Sequence, residues 1–224
     1  MSLSDNHLDL EMVRRYSPIL FMDKLEPFQP IRVGVTVFES DAPSPSFNRS
    51  IRFDRSKIKT VIEYAIYYDY DIQHIYDLEH VWIYVDHAGS IASCEVSFHG
   101  RYFLGLLRDR SNLSDQDQRV KLFVQPGKHA MSPLEEVFHL LPNVSSCCLE
   151  EAGNEGLLEP DLFRGEYKHG EEIDKLSEEH LRTFCFQPSF DYSPHNWASD
   201  VFVSWNELRV EIPARMNSLL ASLR

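Results

Sequence analysis

IKTVIEYAIYYDY, residues 58–70, runs into DIQHIYDLEHVWIYVDHAGS, residues 71–90, and then into IASCEVSFH, residues 91–99. These three pieces specify the central strands of the chain. From Lys57 to Tyr70 β-branched and aromatic residues dominate, which suits a strand buried on at least one face. HVWIYVD is a second strongly apolar run, DHAGS turns the chain and SIASCEVSFH returns, so residues 79–99 are predicted to form a hairpin. Matching the apolar faces sets Val81 opposite Val96 and Ile83 opposite Cys94. In that register His99 falls opposite Leu78 and shares a face with His80 and Trp82, so a bulge or loop must turn it toward Asp77 and Glu79. Tyr64, Tyr67, Tyr68 and Tyr70 read as core and cross-strand packing.

Outward from this hairpin, RVGVTVF (residues 32–38) alternates as a strand, and RVKLFVQPG (residues 119–127) is another that ends just before His129. Pro27 and Pro30 mark an irregular extended approach, and DAPSPSFNRS (residues 41–50) is a turn-rich surface loop. Ser4 or Asp5 is placed to cap a short helix reaching about Tyr16, which Pro18 stops. Residues 132–200 are acidic, with few long apolar runs, and are expected to make an elaborated loop and helical excursion over the surface, with a short helix in SEEHLRTF capped by Ser177. Ser204 and Glu207 have capping-box spacing before a C-terminal helix toward Leu223, which Pro213 must kink or divide. The expectation is one mainly β domain spanning residues 1–224, with flanking helices and that excursion.

With 35 acidic against 22 basic residues the net charge is −13, and no basic patch interrupts it, so a nucleic-acid partner is excluded. Hydrophobic residues make up 43% of the chain, too many for a disordered reading. The first residues lack the apolar stretch of a secretory signal, and no window approaches a membrane span, so a soluble cytoplasmic protein is expected. Cys94, Cys147, Cys148 and Cys185 have no CxxC spacing and read as reduced thiols.

His74, Asp77, Glu79 and His80 put two imidazoles and two carboxylates within seven residues. Such donors suit Zn or Mn, while carboxylates with water suit Mg or Ca; the four metals are not distinguished here. Asp77 and Glu79 share a strand face, whereas His74, three residues before Asp77, must reach the same point from a bend. His99 and His129 are added as candidate partners, His80 reads as an outward strand residue, and Asp191 and His195 are further candidates from the C-terminal half.

HIYDLE (residues 74–79) resembles the H-x-x-D-W-E core shared by the vacuolar-protein-sorting-associated family numbered sixty-two and, more remotely, the necrosis- and ethylene-inducing-peptide-like proteins. YSPILFMDKLEPFQPIRV (residues 16–33) is similar to that sorting family's opening Y-A/S-P with E-x-Y/F-x-P, SFHG (residues 97–100) to its S-x-H, and QPGKHA (residues 125–130) to its G-S-H-A. Leu78 stands where the pattern has Trp, Lys128 where it has Ser, and the glycine expected before His74 is missing. The resemblance implies a β-sandwich with flanking helices and a cavity at one end that holds a divalent cation. His74, Asp77 and Glu79 would be its ligands, with His99 and His129 at the rim. Three functions follow from this reading: a binding module in which the cation bridges to a sugar or lipid head group, a metal-dependent hydrolase with His99 or His129 as general base, or a structural charge cluster.

Overall fold

Along residues 58–70 the side chains alternate as the sequence demands: Ile62, Tyr64, Ile66 and Tyr68 enter one core, while Ala65 and Tyr67 enter a second on the opposite face. The structure, a computed structural model, describes residues 8–114 and 119–223. Its strands are β1 (Ile19–Asp23), β2 (Arg32–Phe38), β3 (Ala42–Pro43), β4 (Ser50–Ile51), β5 (Ile58–Tyr70), β6 (His74–Asp86), β7 (Ile91–Phe98), β8 (Arg101–Leu104), β9 (Lys121–Val124), β10 (Met131–Ser132), β11 (Gly156–Leu157), β12 (Tyr192–Pro194) and β13 (Phe202–Ser204). The helices are α1 (Leu10–Tyr16), α2 (Glu136–His139), α3 (Glu171–Arg182) and α4 (Trp205–Ser222).

The larger sheet has the order β13-β2-β5-β6-β7-β8, with β11 added beside β6, and the smaller has β10-β9-β1-β12. Leu20, Met22, Leu122, Val124 and Met131 of the smaller sheet pack against Val33, Tyr64, Val81, Ile83 and Val96 of the larger. This is the mainly β sandwich expected, with the hairpin register realised as Val81 opposite Val96 and Ile83 opposite Cys94. The sheets are mixed, however: β1 with β9, β6 with β11 and β2 with β13 run parallel, because each pair is joined by a long excursion and not by a tight turn.

The far face of the larger sheet is covered too. Leu208, Ile212 and Met216 of α4 lie on it beside Cys147, Cys148, Phe163, Ile173 and Leu181, so residues after 132 share a second core with Ala65, Tyr67 and Ile75 of the sheet. Gly34 permits this approach, since a Cβ there would stand 2.8 Å from Leu208 Cδ2 and 2.9 Å from Trp205 Cε3. Two-sided cover explains why β5 and β6 are buried almost throughout, their polar residues included.

Helix ends differ from the expectations in part. Ser204 caps α4 by accepting from Glu207 N at 3.2 Å, and α4 runs through Pro213 undivided. Helix α3 begins six residues earlier than SEEHLRTF, with acidic Glu171, Glu172 and Asp174 in its first turn. Ser177 is therefore no cap but lies inside the helix, its hydroxyl donating to Ile173 O at 2.8 Å. Asp9 caps α1, accepting from Met12 N at 3.0 Å; Ser4 and Asp5 lie outside the described residues. Among the described residues no helix is long and apolar enough to cross a membrane.

Candidate functional site

Strand β6 begins with an irregularity that builds the site. Tyr76 has φ +81°, a left-handed conformation unusual for a bulky residue, and it breaks the alternation so that His74 and Asp77 line one cavity despite their spacing of three. This is the bend that the sequence required. Of the five non-glycine residues with positive φ among those described, Tyr76, His99 and His129 all belong to this region, the clustering expected where backbone strain serves a site. The cavity, of about 1100 Å³, has Asp71, His74, Asp77, Glu79, His80 and Ser97 on its buried floor. Its mouth carries the more exposed Asn48, His99, Glu155, Leu158 and Asp161.

Each floor group has a specific partner. His74 donates Nδ1–H to Tyr76 O at 2.8 Å, and its Nε2 stands 3.5 Å from Asp71 Oδ2 and 3.8 Å from Glu155 Oε2. Asp71 accepts from Gln73 N at 2.6 Å and holds the Lys128 ammonium at 2.9 and 2.7 Å. Burial alone would raise the Asp71 pKa, but the charges of His74 and Lys128 keep it below the ordinary carboxylate value. Asp77 accepts from Leu78 N at 2.8 Å and from His129 Nδ1–H at 2.8 Å. Glu79 accepts from the Ser97 hydroxyl. Burial, aided by the Asp77 charge, pushes the Glu79 carboxyl up to about 8.

His129 was expected at the rim and is instead sealed behind Asp77, fully buried and stacked on Tyr68 with centroids 3.9 Å apart. Its Nε2 lies 3.5 Å from Glu26 Oε1, a charge contact too long for a full hydrogen bond. Burial alone would favour the neutral ring, yet Asp77 and Glu26 together raise its pKa to about 10, which makes it an imidazolium at neutral pH. Glu26 is fixed in turn by Gly127 N at 2.6 Å and Phe28 N at 3.2 Å.

His99 occupies a two-residue turn with Gly100, at φ +48° and +74°, between the paired residues Phe98 and Arg101. That turn carries it away from the strand face to the mouth, where Nε2–H donates to Gln125 Oε1 at 2.8 Å.

Two expectations need correction. His80 does not point to solvent, because the loop carrying Ser46 and Phe47 covers its face. It is buried, stacked on Trp82, and donates Nε2–H to Ser46 Oγ at 3.0 Å, while Ser46 donates to Glu63 Oε1 at 2.7 Å. Asp191 and His195 do not line the cavity: Asp191 pairs with Lys24 at 2.7 Å and His195 meets Gln29 Oε1 at 3.1 Å.

Asp71, Lys128 and Glu26 are the members that the sequence reading missed. Asp71 had a local signal, three residues before His74, whereas Lys128 and Glu26 arrive from distant turns.

No protein-family model matches the chain, and no curated protein does either. The resemblance to the sorting-associated family thus rests on the quoted motifs alone. Solved structures do align. Necrosis and ethylene inducing protein 2 from the causal agent of cocoa's witches' broom disease is 19% identical over 59% of this chain and 70% of its own, with a TM-score of 0.35. NLPPya in complex with glucosamine is 18% identical over 58% and 68%, with a TM-score of 0.38. NLPPya in complex with mannosamine is 19% identical over 58% and 69%, with a TM-score of 0.36.

As placed, the expected ligand set does not fit a divalent cation. Of that set, Asp77 is occupied by His129 and Glu79 by Ser97, and Asp71, which stands beside His74 and was not in the set, is occupied by Lys128. His99 stands apart at the mouth. Among the described residues no three His, Cys, Asp or Glu side chains stand together as a metal-holding group.

Proposed function

We propose that the protein is a recognition module that takes a polyhydroxyl ligand, neutral or amine-bearing, into the cavity at the start of β6. The observation that carries this reading is the cavity itself. Its volume of about 1100 Å³ would admit a mono- or disaccharide, and it joins a polar floor to a mouth lined by Leu158, Leu162 and Phe47. On the floor Lys128 and His129 match Asp71 and Asp77, and Glu79, raised to about 8, holds its proton at neutral pH. The excess negative charge lies at the mouth with Glu155 and with Asp161, which Arg164 shares, so an anionic ligand is disfavoured and an amine is matched there.

Binding is favoured over hydrolysis by the state of the two general-base candidates. His129 already holds its proton and is sealed from the cavity, and His99 is held at the mouth by its bond to Gln125, apart from the floor groups. Glucosamine is a suitable probe because it combines hydroxyls with one ammonium. Saturation-transfer NMR is expected to show contact between wild-type protein and the sugar, and Glu155→Gln and Asp161→Asn each to weaken it. Both positions are exposed, so thermal stability should move by no more than about 0.5 kcal/mol. Wild type giving no transfer to glucosamine would sink the reading.

A further inference from the structure

The floor of the cavity has a cation of its own. We propose that Lys128, held by Asp71, supplies the positive charge that a divalent ion would bring beside His74, and that ligand recognition in this cavity is metal-independent.

Three observations carry the inference. The Lys128 ammonium lies 2.9 Å from Asp71 Oδ1 and 2.7 Å from Oδ2, and both side chains are nearly sealed from solvent, 11% and 2% exposed. A divalent ion bound to the same oxygens would have to sit about 2.0 to 2.6 Å from them, against a compact ammonium charge at the same carboxylate. The two cations exclude each other.

Lys128 also has little freedom to withdraw. Gly127 before it has φ +71° and is wedged so tightly that a Cβ would stand 2.7 Å from Cys148 Sγ and 2.8 Å from Ile72 Cγ2. Gly127 N is tied to Glu26, and His129 after it is locked onto Asp77. One tight turn therefore delivers consecutive cations, Lys128 and His129, to two carboxylates, Asp71 and Asp77.

Finally, Lys128 lines the cavity, and among the described residues Asp71 is the one acceptor hydrogen-bonded to its ammonium. Of its three N–H groups, one is hydrogen-bonded to Asp71 Oδ1 and Oδ2 stands at 2.7 Å, so Asp71 takes no more than two and at least one is left for a ligand oxygen. The ligand part of this inference rests on the proposed function; the metal part does not.

The test is a titration of chelator-treated protein with Mn²⁺, followed by loss of the free-ion electron paramagnetic resonance signal. Wild type is expected to bind no Mn²⁺ up to about 1 mM, the weak end of protein calcium sites. Lys128→Ser and Lys128→Met, shown folded by circular dichroism, are expected each to gain one Mn²⁺ site, and adding Asp71→Asn to remove it. One Mn²⁺ per wild-type chain below that concentration overturns the inference, as do folded variants that gain no site. Should neither variant fold, the wild-type titration decides alone. In a separate arm, glucosamine contact should survive chelation and fall in Lys128→Met; loss on chelation overturns metal independence. Wild type with no glucosamine contact and no Mn²⁺ site would remove the proposed function while leaving Lys128 as the resident cation.

Discussion

His80 on the cavity floor and His129 sealed behind Asp77 look alike at first. Both are buried, both stack on an aromatic ring (Trp82 at 5.4 Å and 10°, Tyr68 at 3.9 Å and 5°), and both lie within reach of a glutamate. Their protonation is opposite. Burial takes the His80 pKa down to about 3, and the Arg49 charge adds to that. The same burial acts on His129, but direct contact with Asp77 and Glu26 reverses it to about 10. His80 reaches Glu63 only through the Ser46 hydroxyl. What decides the charge of a buried histidine here is whether a carboxylate touches the ring, not whether one is near.

The strongest way to break this contrast is Asp77→Ala. It leaves the His129 ring buried without its hydrogen-bonded carboxylate, and the loss should be about 3 to 5 kcal/mol in urea unfolding. A loss below about 1 kcal/mol, the usual worth of an exposed pair, would show that the pair does not set the state of His129.

Next in size is the pH dependence of stability, in which the two rings act on opposite limbs. His129 binds its proton more tightly in the folded state, so its contribution is complete below pH 6.5 and is lost as pH rises toward about 10. For His80 the unfolded state binds the proton more tightly, so stability falls as pH drops from 6.5 toward about 3. Each limb has a slope approaching about 1.4 kcal/mol per pH unit. His80→Gln should flatten the acid limb and leave the alkaline one, as measured by unfolding from pH 4 to 9; equal flattening of both limbs would refute the assignment.

The smallest effect is expected for Ser46→Ala, which removes the link between His80 and Glu63 and should cost about 1 to 2 kcal/mol. The NMR-detected His80 titration should stay acidic, because no carboxylate gains contact with the ring.

The same contrast explains what was legible in the sequence. Alternation in β6 and β7 gave the pairing of Val81 with Val96 and Ile83 with Cys94, because a slip of one residue would have moved every side chain to the other face. His80 was misread by the same logic, since alternation separates two faces but does not say that both are covered. The Phe47 loop, coming from residues far upstream of β6, supplies that cover. Asp77 and Glu79 were visible as a local pattern, and the need for a bend before them was visible too. Glu26, Ser97 and Lys128 stood in the quoted motifs, but their pairings with His129, Glu79 and Asp71 were not legible, since long-range pairing leaves no spacing to read. One trace existed: Lys128 departs from the small residue of the motif it otherwise resembles, and that departure marks the group paired with Asp71.

The sealed floor and open mouth have a further consequence, for ionic strength. Lys128–Asp71 and His129–Asp77 are shut away from mobile ions, whereas the side chains of Glu155 and Asp161 are 56% and 87% exposed. Screening shortens to about 10 Å at 0.1 M salt and about 3 Å at 1 M, so salt reaches the mouth and not the floor. An uncharged polyol should be held equally well in dilute and in saline surroundings, while preference for an amine survives only in the dilute case. Under the proposed function one cavity would carry two kinds of selectivity, of which dissolved salt would switch off only one.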